Sequence, residues 1–135
     1  MASRSRVRVR YAETDQMGVA YHANYLVWME VARVEFCRSA GLNYRDMEET
    51  DGIVLAVIEA TCRYIHPARF DDEVEIETTV ASANSRMVHF SYEMRRLTDN
   101  RTLARGETRH LFLNLATTTP ARLPERYKPM FGLLP

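Results

Sequence analysis

The chain has 135 residues, of which 46% are apolar and 27% are charged, as in ordinary globular domains. Lysine plus arginine and aspartate plus glutamate both total 18, so the net charge does not favour nucleic acid or an anionic membrane as a partner. No apolar run is long enough to span a membrane. Length and composition therefore predict a single domain over residues 1–135 with a core of its own.

The first predicted element is a strand from Arg6 to Tyr11, preceded by a loose terminus at residues 1–5. Val7, Val9 and Tyr11 alternate with arginines, which is the period-2 pattern of a half-buried strand. The row of arginines is expected to face water, and a phosphate or a neighbouring subunit is the alternative contact.

The only long helix is predicted from about Asn24 to Ala40. Its apolar residues recur at helical spacing, and Gly41 follows them, where a left-handed helix end favours glycine. Charged residues off the apolar face are expected to meet water or a partner. The apolar face comprises Tyr25, Trp28, Met29, Ala32, Phe36 and Ala40, and the charged residues are Glu30, Arg33, Glu35 and Arg38.

Four further strands are predicted after a connection at residues 43–52 that includes a short helical turn. They lie at 53–65, at 72–83, around 88–94 and at 102–116, and a final turn is expected at 125–131. The expected inner rows of the first three are Val54, Ala56, Ile58, Ala60, Cys62 and Tyr64; Val74, Ile76, Thr78 and Val80; and Val88, Phe90, Tyr92 and Met94. Leu55, Val57 and Ile65 make the other face of the first strand partly apolar, so coverage on both sides near its start is the alternative. Consecutive strands with short links favour an antiparallel sheet covered by the helix, which is an α+β fold.

The polar loop before the helix carries groups that can do chemistry. Asp15 can act as a general base or a nucleophile at a carbonyl, or can simply cap the next turn. His22 lies at the helix start, where free backbone N–H groups and a partial positive charge favour an anion. Its imidazole can orient a water, carry a proton, cap the helix or pack against Tyr25. Glu13 is expected to be a solvated loop residue.

Other residues of this region have open roles. Tyr11 can hydrogen-bond to the carboxylate, line a pocket or belong to the core. Gly18 lets the loop bend towards a ligand or adopt a positive φ. Asn24 can cap the helix or serve as a polar pocket group, and Tyr25 belongs to the core or to the pocket.

Cysteines and histidines exclude some sites. Cys37 and Cys62 are expected to be reduced thiols of a cytoplasmic protein without a secretory signal, and a disulfide between them stays open. The four histidines lack the spacing of zinc ligands, so no metal is expected. The chain also lacks a G-x-S-x-G turn and a glycine-rich phosphate loop.

Two segments carry a family pattern. Its matching positions are Tyr11, Thr14, Asp15, Gly18, Val19, Tyr21, His22, Asn24, Tyr25 and Arg33, followed by Tyr64 and Pro67–Asp72. They resemble the 4-hydroxybenzoyl-CoA thioesterase-like hotdog proteins, in particular the short acyl-CoA thioesterases with a Tyr, an Asp and a His in this arrangement. The resemblance covers about residues 5–124.

The resemblance implies a hotdog fold, a five-stranded antiparallel sheet wrapped around one long helix, and hydrolysis of acyl-CoA to free acid and coenzyme A without a cofactor. It implies that Asp15 is the catalytic carboxylate and that the His22 N–H donates to the thioester oxygen, with Tyr11 as the third motif residue. Arg69 matches an often basic position and can bind a CoA phosphate or pair with Asp71 or Asp72.

The resemblance also implies a homodimer with active sites at the interface, often paired again into a tetramer. Unpaired edges of a small sheet support such assembly. Two alternatives remain: a non-catalytic protein that binds acyl-CoA or acyl-carrier protein, and a thioesterase that acts on acyl-carrier protein. The acyl group and the choice between general base and nucleophile for Asp15 also remain open.

Overall fold

The computed structural model describes residues 2–134. Its elements are β1 (Ala2–Arg8), α1 (Asn24–Ser39), α2 (Tyr44–Asp51), β2 (Ile53–Tyr64), β3 (Glu73–Ala83), β4 (Met87–Arg96), β5 (Arg101–Asn114) and β6 (Thr119–Pro120), with 3₁₀ turns at Tyr11–Glu13 and Glu125–Phe131. The strands form one antiparallel sheet in the order β1-β3-β4-β5-β2, and the two residues of β6 extend it beside β5. Five long strands and one long helix confirm the predicted α+β architecture.

Helix α1 has nearly the predicted bounds and packs its apolar face against the sheet. Trp28, Met29, Ala32 and Phe36 are all at most 2% exposed, and the Phe36 ring meets Phe90 of β4 edge-on at 5.5 Å. Burying one large apolar side chain contributes roughly 1.5–3 kcal/mol. Packing of this face, rather than helix propensity alone, therefore holds α1 in place.

A glycine of the sheet leaves room for a side chain of the helix. A Cβ at Gly106 of β5 would lie 2.0 Å from Met29 Cε and 3.0 Å from the Thr61 carbonyl oxygen. Any side chain at this position would have to push Met29, which is fully buried. The glycine thus lets the Met29 side chain of α1 pack against β5.

The predicted inner rows are confirmed in two strands and wrong in a third. Val74 and Ile76 of β3 are buried, and so is the whole predicted row of β4. In β2, Ile53 and Leu55 are buried instead of their neighbours, and Ile58 is 50% exposed. The pairing of β2 with β5 shifts register between Val57 and Glu59, and such an irregularity reverses the faces that a strict alternation predicts.

The N-terminal strand differs from its prediction. Residues 2–5 belong to β1, whereas Tyr11 lies in a 3₁₀ turn and is 76% exposed; residue 1 of the predicted loose terminus lies outside the described residues. The β1 arginines face solvent as predicted and lie opposite glutamates of β3, with Arg6 beside Glu75 in the register. The pairing partners are Arg4 with Glu75 and Glu77, Arg6 with Glu73 and Glu75, and Arg8 with Asp71 and Glu73.

Arg33 was expected to face water or a partner, and the structure corrects this: the residue is only 8% exposed. Its Nη1 donates to the Tyr92 hydroxyl at 3.2 Å, and that hydroxyl lies 2.7 Å from Thr108 Oγ1. His110 Nε2 lies 2.8 Å from the same Thr108 oxygen. We call these four residues the buried polar cluster. Their mutual hydrogen bonds offset the cost of removing polar groups from water.

The remaining elements follow the predicted outline. The predicted turn at 43–52 is the helix α2, whose start is capped by the Asn43 side chain accepting from the Asp46 N–H at 3.2 Å. The final turn is confirmed at Glu125–Phe131. Within residues 2–134, no helix is long and apolar enough to cross a membrane.

Candidate active site

A cavity of about 240 Å³ opens at the start of α1. Its walls come from the loop before the helix, the first turn of α1 and the end of β2. They comprise Asp15, Met17, Val19, Ala20, His22, Tyr25, Tyr64, Ile65, His66 and Pro67. Three of the residues predicted for the site, Asp15, His22 and Tyr25, are therefore brought together around one mostly apolar space.

A larger depression of about 750 Å³ lies across the outer face of the sheet. Its charged lining residues include Glu93 and Arg105, which pair with each other across 3.6 Å. The smaller cavity, unlike this depression, brings Asp15 and His22 together beside mostly apolar walls at a helix start, so we assign the active site to it.

Asp15 lies in a tight loop that holds its carboxylate at the cavity wall. Its N–H donates to the Val19 carbonyl at 2.9 Å, and its own carbonyl accepts from the Gly18 N–H at 2.9 Å. Gly18 has φ +79°, a conformation that favours glycine, as predicted. Asp15 Oδ1 accepts from the Met17 N–H at 2.9 Å, whereas Oδ2 has no hydrogen-bond partner within residues 2–134. One carboxylate oxygen is thus fixed and the other is available to a ligand or a water.

Glu13 was expected to be solvated, and this prediction is wrong. The residue is 5% exposed, and its carboxylate accepts from the Arg10 N–H at 2.8 Å and from Trp28 Nε1 at 3.0 Å. Burial raises the pKa of Glu13, but these hydrogen bonds outweigh it and hold the pKa below its ordinary value. The Glu13 carbonyl also accepts from Asn24 Nδ2 and from the Tyr21 N–H, both at 2.8 Å. Glu13 therefore ties the Asp15 loop to the start of α1.

The helix start leaves backbone donors free. Asn24 is the first residue of α1 rather than its cap, which is Ala23 and has no capping side chain. The Asn24 N–H donates to the Tyr21 carbonyl at 2.9 Å. The N–H groups of His22 and Ala23 have no hydrogen-bond acceptor in the described part of the chain. Together with the helix dipole, these donors form a site suited to an oxyanion.

Aromatic rings form the inner wall. Tyr25 is 3% exposed and its hydroxyl accepts from the Ala68 N–H at 3.1 Å, so it is both a core and a cavity residue. Its ring meets Tyr64 edge-on at 4.9 Å. The exposed imidazole of His22 packs against Tyr21 at 4.3 Å and Tyr64 at 6.3 Å, not against Tyr25.

Four predicted site residues do not line the cavity. Gly18 shapes the Asp15 loop and Asn24 donates to the Glu13 carbonyl, whereas Tyr11 and Arg69 lie outside both arrangements. Tyr11 packs edge-on against Phe70 at 5.4 Å, and its hydroxyl has no hydrogen bond within residues 2–134. Its catalytic role stays a prediction without a supporting contact. The side chain of Arg69 is exposed and forms no ion pair with another described residue. The expected pairing with Asp71 or Asp72 is wrong, because Arg8 and Arg96 take those carboxylates.

Sequence reasoning missed Tyr64 and His66 as wall residues. Both lie at the end of a strand that leads into Pro67, and the place where a strand ends beside a functional loop was the available signal. Cys37 and Cys62 are free thiols, and burial raises the pKa of Cys37 to about 12, so this thiol is a poor nucleophile. No cluster of three or more potential metal ligands occurs among residues 2–134.

The family of the chain follows from its similarity to known proteins. A family model described as the thioesterase-like superfamily matches residues 9–131. YneP of Bacillus subtilis (strain 168), a putative acyl-CoA thioesterase, is 38% identical over 92 residues, which are 68% of this chain and 66% of YneP.

Solved structures agree with this family. The hypothetical protein TT1821 from Thermus thermophilus is 41% identical, with a TM-score of 0.88 over 97% of this chain and 95% of that chain. The DHNA-CoA thioesterase from Staphylococcus aureus is 33% identical, with a TM-score of 0.88 over 95% of this chain and 84% of that chain. The chain belongs to the thioesterase-like superfamily and is a thioesterase of the hotdog fold.

Proposed function

We propose that the protein hydrolyses acyl-CoA thioesters in the cavity at the start of α1, with Asp15 as the catalytic carboxylate. One observation carries this proposal: a carboxylate with a free oxygen and a helix start with free N–H groups border the same apolar space. Hydrolysis of a thioester needs both, since a water must be activated while negative charge develops on the carbonyl oxygen.

In the proposed reaction, the thioester oxygen accepts from the His22 N–H. If Asp15 is a general base, it takes a proton from water as the water attacks the acyl carbon, the C–S bond breaks, and the proton passes to the departing thiolate. If Asp15 is a nucleophile, its carboxylate attacks the acyl carbon and expels the thiolate of coenzyme A, and a water then cleaves the anhydride and supplies the proton that the thiolate takes up. Both routes consume one water, and neither needs a metal or a redox cofactor.

The cavity size supports a small acyl group. Pockets that hold whole drug-sized ligands measure about 300–1,000 Å³. A volume of about 240 Å³ accommodates the acyl group and the thioester, while the nucleotide of coenzyme A stays at the surface. YneP is described as a putative acyl-CoA thioesterase and the Staphylococcus protein as a DHNA-CoA thioesterase, which supports a CoA ester as substrate. Arg69, exposed beside the cavity wall at Pro67, is our candidate for a CoA phosphate.

We further propose a homodimer that pairs the free edge of β2, with a tetramer as a larger form. β2 ends the sheet, so one side of its backbone has no strand beside it within residues 2–134. Val57 and Ile58 on this strand are 52% and 50% exposed. An unpaired edge with exposed apolar residues favours pairing with a second copy. Because Tyr64 of the cavity lies on the same strand, the site would adjoin the interface. The two free thiols fit a reducing compartment, and we place the protein in the cytoplasm.

The proposal is tested by release of free thiol from a panel of acyl-CoA esters, with Asp15→Asn compared to the wild type. A positioned acid or base contributes about 10²- to 10⁴-fold, so kcat should fall by at least 100-fold. Asp46→Asn is the matched control, because Asp46 is exposed on α2 outside the cavity, and its activity should equal that of the wild type.

Turnover that survives in Asp15→Asn would refute the role of Asp15. Binding of acyl-CoA without turnover on any ester would favour the non-catalytic alternative. Faster turnover of acyl-carrier protein than of acyl-CoA would make the carrier protein the substrate.

A further inference from the structure

Tyr64 contacts the helix start from the opposite wall of the cavity. It is the last residue of β2, and its hydroxyl donates to the His22 carbonyl oxygen at 2.8 Å. The bond joins two elements that are 42 positions apart in sequence. It also places the phenol beside the residue whose N–H we assign to the thioester oxygen.

The first turn of α1 is weakly held by its own backbone. The His22 carbonyl also accepts from the Tyr25 N–H, but at 3.3 Å, and the next bond of the turn, from the Leu26 N–H to the Ala23 carbonyl, measures 3.2 Å. The bond from Tyr64 is the shortest of the three. The turn at residues 22–23 is also closed by the Asn24 N–H, which donates to the Tyr21 carbonyl at 2.9 Å, and the phenol adds a short bond to the carbonyl of the peptide that follows His22.

The surroundings of Tyr64 keep its hydroxyl a donor. Its ring packs edge-on against the ring of Tyr25, with centroids 4.9 Å apart, and against the ring of His22, with centroids 6.3 Å apart. Burial, together with the nearby Cys62, raises the pKa of Tyr64 to about 12. The phenol therefore keeps its proton over the range in which enzymes work.

We propose that Tyr64 is a positioning residue, whose hydroxyl holds the turn at residues 22–23 so that its free N–H groups face the thioester oxygen. The inference rests on the proposed function, in which these groups stabilise the oxyanion. Such stabilisation depends on donors aligned before the reaction, since a donor contributes only at hydrogen-bond distance from the developing charge.

The test is Tyr64→Phe, which removes one oxygen and keeps the ring. Loss of one oxyanion donor costs about 10²- to 10³-fold in kcat, and loss of its alignment should cost a part of this, about 10-fold. KM should stay within about twofold, because the ring still lines the cavity. The matched control is Tyr21→Phe: both tyrosines are 47% exposed, both pack against His22, and the Tyr21 hydroxyl has no hydrogen bond within residues 2–134.

A second readout does not depend on turnover. Amide hydrogen exchange at Asn24 and Tyr25, whose N–H groups donate to the Tyr21 and His22 carbonyls, should quicken in Tyr64→Phe and stay unchanged in Tyr21→Phe, because only the first substitution loosens this turn. An unchanged kcat in Tyr64→Phe, an effect on KM alone, or an equal loss in Tyr21→Phe would overturn the inference. Failure of the proposed function is separate: the wild type would then release no thiol, or Asp15→Asn would keep its activity.

Discussion

Helix α1 contacts two polar clusters that differ in how their hydrogen bonds are satisfied. In the buried polar cluster, Arg33, Tyr92, Thr108 and His110 bond one another at 2.7–3.2 Å, and none is more than 8% exposed. At the helix start, by contrast, one Asp15 oxygen and two successive backbone N–H groups lack partners among the described residues.

The buried polar cluster contributes to packing, whereas the groups at the helix start are available for chemistry. The four residues of the buried polar cluster bond one another, although His110 Nδ1 has no partner within residues 2–134. None of the four lines the cavity at the helix start, so their role is to fix one packing arrangement. Groups left unsatisfied at an open cavity gain partners when a substrate arrives. Substitutions in the buried cluster should therefore change stability, and those at the helix start should change turnover.

The largest expected effect concerns the assembly of two copies of the chain, since a second copy would adjoin the unpaired polar groups at the helix start. Ile58→Lys places a charge on the free edge of β2, and burial of an unpaired charge should weaken a dimer at least 100-fold. Analytical ultracentrifugation over a range of concentrations measures this. Leu134→Lys is the control, because Leu134 is 87% exposed near the C-terminus and the same charge there should leave assembly unchanged. A dimer of unaltered affinity in Ile58→Lys would show that β2 is not the interface.

Acid should destabilise the fold through the buried polar cluster. Burial, aided by the nearby Arg33, lowers the pKa of His110 to about 4, whereas a histidine in the unfolded chain titrates near 6.5. The stability that depends on a neutral His110 is therefore complete above pH 6.5 and is lost as the pH falls towards 4. The loss is on the order of 3 kcal/mol.

Urea unfolding at pH 7.5 and pH 4.5 measures this loss of stability. The wild type is compared with a variant that lacks the imidazole, because the two proteins share all other titrating groups and the contribution of those groups cancels. His110→Gln should lose less stability on acidification than the wild type. Exposed His66, changed to Gln, is the control and should behave as the wild type does. Equal acid sensitivity in His110→Gln and the wild type would contradict the prediction.

A smaller effect is expected from Tyr92→Phe. Without its hydroxyl, Arg33 Nη1 loses the acceptor found at 3.2 Å. A buried polar group without a partner costs about 1–3 kcal/mol. The free energy of unfolding should fall by this amount while kcat of the folded enzyme stays within about twofold. A large loss of kcat with full stability would erase the distinction between the two clusters.

The sequence predicted elements whose pattern is local. Periodicity and Gly41 gave α1 to within one residue, and strict alternation gave the inner row of β4. It failed where the decisive partner is distant. Residues 2–5 carry almost no apolar pattern, and they form a strand because their backbone pairs with residues 76–79 of β3.

The candidate site shows the same limit. The motif identified Asp15, Gly18 and His22, which the structure groups around the cavity or its loop. Polarity wrongly predicted that Glu13 faces water and that Arg33 faces water or a partner. Their burial depends on Trp28 and Tyr92, whose polar atoms reach them only in the folded chain.

The glycine at position 106 lies against Met29 of α1, near the candidate active site. Met29, which touches it, lies five positions after Asn24, about 7–8 Å along the helix axis. Met29 Cε is the end of a flexible side chain, but the Thr61 carbonyl oxygen belongs to the strand that pairs with β5, so a side chain at position 106 would disturb both contacts. Met29 lies one helical turn after Tyr25, on the same face of α1. A substitution at position 106 would therefore alter the packing next to a cavity residue without touching the cavity itself.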